Sequence, residues 1–125
     1  MKANAGGEFR ADILAYFESL RIKDGPYGRY RYAASGTRPV AYASAYSAMA
    51  RHMLGNLDAV SARQKKEWAD HILSFQDEDG FFREQALAHP GSWYVPPHMD
   101  WCGWWHMSCH AIIGLAALGA VARRE

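Results

Sequence analysis

The chain has 125 residues, half of them hydrophobic and 22% charged, which fits one folded domain and excludes a disordered one. Fourteen Lys and Arg against thirteen Asp and Glu leave a formal charge of +1, which excludes a nucleic-acid footprint built on phosphate neutralisation and makes Arg63, Lys65 and Lys66 a solvated helix face. Residues 1–10 lack the apolar segment of a signal peptide, so a cytoplasmic protein is expected.

In chain order, Phe9, Ile13, Leu14, Tyr16, Phe17 and Leu20 fall on one broad helical face, predicting a first helix that ends near Lys23. Asp24-Gly25-Pro26-Tyr27-Gly28 opens a loop, because Gly and Pro stop a helix from continuing. Pro39 suits the first turn of a second helix, carried by Tyr42, Tyr46, Met49, Met53 and Leu54 and stopped at Gly55. Ser61 and Gln64 form a capping-box pattern for a third helix with Trp68, Ile72 and Phe75 as its apolar stripe, closed by the Gln76 to Phe82 turn. An irregular stretch with Pro90, Gly91, Pro96 and Pro97 leads to Asp100, placed to cap a final helix from Trp101 to about Arg123. Trp101 to Ala122 contains no Asp, Glu, Lys or Arg, yet His106, Ser108, Cys109 and His110 interrupt it, so a buried core helix is expected in place of a membrane span. Cys102 and Cys109, both helical on this reading, would stand roughly 10 Å apart along the axis, beyond disulfide reach.

Two units emerge, about 8–55 and 61–121. Each is a helix, an Asp-Gly-aromatic turn and a helix ending in Leu-Gly, with 55 residues between Asp24 and Asp79 and 64 between Gly55 and Gly119. The expected fold is all-α, two tandem antiparallel helical hairpins. Such repeats usually need about three or more stacked copies to bury their faces, so association of copies, or membership of a larger architecture, is expected.

Gln76, Asp79, Gly80 and Phe82 match a turn of the form Gln, a few residues, Gly, any residue, Trp, with Phe for Trp. On these residues the chain resembles the α/α-toroid superfamily of terpenoid cyclases and protein prenyltransferases. The resemblance implies a ring of hairpins with inner and outer helices, of which this chain supplies a segment, and a cavity at one end of the inner barrel. The run from Asp100 to His110 looks like the segment that supplies an Asp-x-Cys zinc pair in prenyltransferase β subunits, which implies Asp100 and Cys102 as ligands.

Cys102, His106 and His110 also share a helical face, so with Asp100 they form a candidate zinc set; the plainer reading is buried packing with hydrogen-bonded histidines. The Tyr27, Arg29, Tyr30, Arg31, Tyr32 alternation suits stacking on sugars or binding of anions. Trp93, Tyr94, His98, Trp101, Trp104 and Trp105 are candidates for an aromatic pocket taking an isoprenoid or a saccharide, or for a sealed hairpin interface. Asp100, His106 and Asp79 are the candidate catalytic groups, although hydrolysis of a glycoside would require a second carboxylate across a cleft. The three functions these residues admit are a small-ligand toroid domain or its relic, a self-associating or protein-binding scaffold, and a carbohydrate-active fragment. Asp77, Glu78 and Asp79 crowd negative charge at a helix end, so a compensating cation such as Arg83 is expected.

Overall fold

A computed structural model describes residues 5–97 and 103–124. Among them are four α-helices and no strands: α1 Ala5–Leu20, α2 Ala41–Met53, α3 Ala62–Leu73 and α4 Trp104–Ala117, with short 3-10 turns at Leu57–Ala59 and Gln85–Leu87. The all-helical expectation holds, and no described helix is long and apolar enough to cross a membrane.

Local chemistry sets the helix ends. Ser61 accepts from the Gln64 backbone N–H while the Gln64 side chain accepts from the Ser61 N–H, so the capping box at the start of α3 is complete. Gly55 and Gly119 take the left-handed conformation, with φ of 62° and 75°, and the amides just beyond them, Asn56 and Ala120, return to the carbonyls of Arg51 and Leu115. Three predicted boundaries need correction. α1 stops at Leu20, short of Lys23, because Arg21 pairs across the turn with Tyr30. Pro39 precedes Val40, the N-cap of α2, and so lies outside the helix. α4 ends at Ala117, not near Arg123, because the Gly119 turn releases the chain; Gln76 then accepts from the Arg123 N–H and donates to the Arg124 carbonyl.

The two Asp-Gly turns are built alike. Gly25 and Gly80 both have φ of 91°. Ile22 donates to the Arg29 carbonyl and Arg31 to that of Leu20; in the second unit Asp77 donates to Phe81 and Arg83 to Phe75. Each turn therefore closes on one antiparallel bridge, Arg21 with Tyr30 and Gln76 with Phe82, and drives Tyr30 and Phe82 into the core, where both are fully buried.

The closest helix packing is between α2 and α4, and α3 lies against both. Small side chains allow the approach: a Cβ on Gly114 would stand 3.0 Å from the Ala45 Cα, in the buried row Ala41, Ala45 and Ala48. Tyr42 meets His106 and, one turn on, Tyr46 meets His110, so the two helices run in the same direction. Trp68 of α3 is fully buried and donates its indole N–H to the Ser44 carbonyl. α1 is not among the closely packed helices; it is tied to the end of α2 by Arg10, which donates to the Leu54 carbonyl, and it leaves Phe9 and Tyr16 exposed. α4 is half-buried where a fully buried helix was expected: Met107, Ala111 and Leu115 face the core and Trp105, Ile112 and Ile113 face outward.

Candidate functional site

A pocket of about 430 Å³ opens beside the first turns of α2 and α4. Val40, Tyr42 and Tyr46 come from α2 and its N-cap, His106 from α4, and Tyr32, Leu87 and Tyr94 from the loops ahead of each helix. These rings assemble because α2 and α4 present equivalent positions to each other. Tyr42 and Tyr46 lie 64 residues before His106 and His110, the spacing that also separates Gly55 from Gly119. The cluster is thus one helical position used twice, tyrosines in one unit and histidines in the other.

Its polar atoms form a chain. The Tyr94 hydroxyl donates to the Tyr42 oxygen at 2.7 Å, and the Tyr42 hydroxyl stands 3.0 Å from His106 Nδ1. The three groups thus form one hydrogen-bonded chain, in which the His106 tautomer sets which partner donates across the Tyr42 contact. The His110 ring lies tilted against His106 with centroids 4.2 Å apart and donates from Nδ1 to the His106 carbonyl at 2.8 Å. Burial pushes the Tyr42 hydroxyl well above its ordinary range, with Tyr94 adding to the effect, and raises Tyr46 and Tyr94 for the same reason. His106 is lowered, first by desolvation and then by His110. The Tyr42, Tyr46 and Tyr94 hydroxyls therefore stay uncharged at neutral pH, beside an imidazole, His106, whose pKa is shifted towards the neutral form.

Glu84 sits behind it. Its carboxylate accepts from the Ala41 N–H at 3.0 Å, at the positive end of α2, where Val40 supplies no side-chain cap. Burial nevertheless raises its pKa, outweighing that hydrogen bond and the Arg38 charge.

Of the candidates from the sequence, His106 is central, and His110 and Trp104 support it, Trp104 packing on Tyr94 with centroids 4.6 Å apart. Trp93 lines an adjoining recess of about 300 Å³ with Tyr94, Gly103 and His106. Trp105 points elsewhere, edge-on to Phe81. Tyr27, Arg29 and Arg31 are not among the lining residues. Tyr27 packs on Trp68 and accepts from Arg51, Arg29 donates to the Asp24 and Pro26 carbonyls of its own turn, and Arg31 donates to the Ser19 carbonyl. Asp79 is forked by Arg83, which also binds Asp77 and so is the cation expected beside that acidic run. Arg83's hydrogen bonds hold the Asp79 carboxyl below its usual range, and it also accepts from the Phe81 N–H, so it is a turn-forming group. His98, Asp100, Trp101 and Cys102 lie outside the described residues. Among the described residues no three metal-ligating side chains converge, and the Nδ1 atoms of His106 and His110 are both engaged.

Helical spacing alone marks Tyr42 and Tyr46 as part of an apolar stripe, and no sequence pattern marks Glu84. The signal for the tyrosines was present: sliding the second helix by the 64-residue glycine spacing sets them on the two histidines. Glu84 had no such signal, because its partner is a backbone amide of another unit. No family model, curated protein or solved structure matches the chain.

Proposed function

We propose that this chain is a small-ligand-binding helical domain of the α/α-toroid type, and that its ligand is an uncharged saccharide. The observation that carries the reading is the Tyr94–Tyr42–His106 chain set in a pocket whose walls are otherwise ring faces and aliphatic carbon. A pyranose has the same duality, an apolar C–H face with a rim of hydroxyls, and neutral phenols and imidazoles can both donate to and accept from that rim. An isoprenoid offers no hydroxyl to the spare hydrogen-bonding capacity of this hydrogen-bonded chain, whose side chains, among the described residues, otherwise bond only to one another. The toroid part is supported by the parallel neighbours α2 and α4, with α3 resting against both as an outer helix would. The reading is of binding: hydrolysis of a glycosidic bond by the usual route takes two carboxylates, and the described lining residues include none.

Titration with neutral mono- and disaccharides, followed by fluorescence of Trp104 against Tyr94, tests this. Saturable binding is expected, weakened about tenfold by Tyr94→Phe or Tyr42→Phe, the loss of about one hydrogen bond. Saturation by farnesol but by no saccharide would overturn the ligand class, and response to neither would overturn the binding role.

A further inference from the structure

The equivalence of the two units extends beyond the pocket, to a face of α4 that the described residues leave largely exposed. Shifted by 64 residues, the buried row Ala41, Ala45 and Ala48 of α2 becomes Trp105, Cys109 and Ile112 of α4. The first row is the one pressed against α4 at Gly114, with all three alanines buried. The second is exposed: Trp105 keeps 56% and Ile112 49% of its surface, and Cys109 is a free, exposed thiol. The stripe carries no charged side chain, unlike the exposed face of α3 with Arg63, Lys66 and Asp70.

The complementary face lies on the other unit. Shifted the opposite way, Met107, Ala111 and Gly114, the buried residues of α4, become Ala43, Ser47 and Ala50 of α2. These three line an apolar groove of about 490 Å³ between α1 and α2, with Ala43 and Ser47 buried at its floor, Ala50 half-buried and Tyr16, Phe17 and Met53 among its walls. α1 borders this groove as α3 borders the α2–α4 contact, but with no second helix beneath it.

We infer that a second copy of this chain docks head to tail, the Trp105–Cys109–Ile112 stripe of one copy entering the α1–α2 groove of the next and repeating the α2–α4 contact between molecules. The intramolecular contact is the template, and it makes the occupant a copy of α4 instead of an unrelated partner. It also gives a distance. Cys109 takes the place of Ala45, and Ala50 that of Gly114. A Cβ on Gly114 would stand 3.2 Å from the Ala45 Cβ, tighter than ordinary packing, so a seam with Ala50 there opens by a few tenths of an ångström. That brings the two Cβ atoms of positions 109 and 50 close to the roughly 3.8 Å of a disulfide. Tyr32 and Tyr46 line both this groove and the pocket, so docking would continue the ring-lined surface across the seam and set His106 and His110 of one copy over Tyr42 and Tyr46 of the next. The seam stands apart from the saccharide reading, because its test uses no ligand.

The experiment mixes two variants, Cys102→Ser, which keeps Cys109, and the triple variant Ala50→Cys, Cys102→Ser, Cys109→Ser. Under mild oxidation the expected main product is a 109–50 disulfide between the two, at least about tenfold over a parallel mixture with Asp58→Cys in place of Ala50→Cys. Light scattering of the unmodified chain at about 100 μM, where a micromolar seam is filled, should give a mass above the monomer, and Ile112→Glu should return it to monomer with its helical circular dichroism intact. A monomer at that concentration overturns the inference. So does equal cross-linking at positions 50 and 58, or a dominant 109–109 product, which would mark a symmetric dimer.

Discussion

The helix pairs α1–α2 and α3–α4 share turn, serine, helix end and ring positions, yet they differ in how well their leading helices are buried. Ile13, Tyr16 and Phe17 of α1 precede Trp68, His71 and Ile72 of α3 by the 55 residues that separate the Asp-Gly turns. Trp68 and Ile72 are buried, whereas Ile13 and Phe17 are half-buried and Tyr16 is exposed. The amphipathic pattern is similar, so the cause is position: α3 covers two helices, α2 and α4, while α1 has only α2 beside it. The leading helix of the second pair thus completes its burial by packing on a helix of the first pair as well as on its own.

The largest test of this contrast is Trp68→Ala against Ile13→Ala. Trp68 loses a fully buried indole and its hydrogen bond to Ser44, so urea unfolding should show a destabilisation of about 3–5 kcal/mol. Ile13, half-buried, should cost about 1 kcal/mol or less by the area it hides. Equal losses would break the comparison.

The next position in the same frame is ionisable. Burial pushes the His71 imidazole down to about 4, with Arg29 adding to it, and its Nε2 is buried without a hydrogen-bond partner. The unfolded chain then takes up the proton near pH 6.5 and the folded chain only near pH 4, so the stability difference is fully present above pH 6.5 and is lost as pH falls towards 4. The loss should reach about 3 kcal/mol by about pH 4, and His71→Leu should flatten this limb of the stability–pH curve. Tyr16→Leu, at the exposed equivalent position, keeps His71 and should leave that limb unchanged.

Much of this architecture was legible because it depends on neighbours in sequence. The Ser61 capping box, the Asp-Gly turns and the Leu-Gly helix ends are decided within five or so residues, and each was readable. The predicted run of α4 to Arg123 failed because apolar composition continues through Ala120, Val121 and Ala122 after Gly119 has already turned the chain. The site divides the same way. His106 and Trp104 stood out by residue type, but Tyr42 and Tyr46 resembled ordinary core residues until the α2–α4 contact placed them opposite two histidines. Glu84 was illegible because its role is to cap a helix begun 43 residues earlier.

A smaller test concerns the shared serines, Ser44 and Ser108, again 64 residues apart. Both tie the start of a trailing helix to its own turn, but with opposite polarity: Ser44 donates to the Gly28 carbonyl, and Ser108 accepts from the Phe82 N–H at 2.9 Å. A buried N–H left unpaired is costlier than a carbonyl, which has two lone pairs and tolerates partial satisfaction. Ser108→Ala should therefore cost about 2 kcal/mol and Ser44→Ala about 1 kcal/mol in denaturant unfolding. The reverse order would show that the two turns are not built on one plan.

The smallest expected difference is the sharpest check on equivalence. Gly55 and Gly119 end α2 and α4 with the same left-handed turn, and a Cβ on either would meet nothing within 4 Å. Steric contact is thereby removed from the comparison, leaving the intrinsic cost of an L-residue at positive φ, about 1–2 kcal/mol. Gly55→Ala and Gly119→Ala should destabilise the chain by that amount and agree within about 0.5 kcal/mol, the limit to which independent, distant sites add. Gly55 leads into α3 and Gly119 into a short tail held by Gln76, so a much larger loss at Gly55 would mean that this turn also positions the following helix. Equal losses would place the whole demand in the turn itself, as expected if one structural unit is used twice.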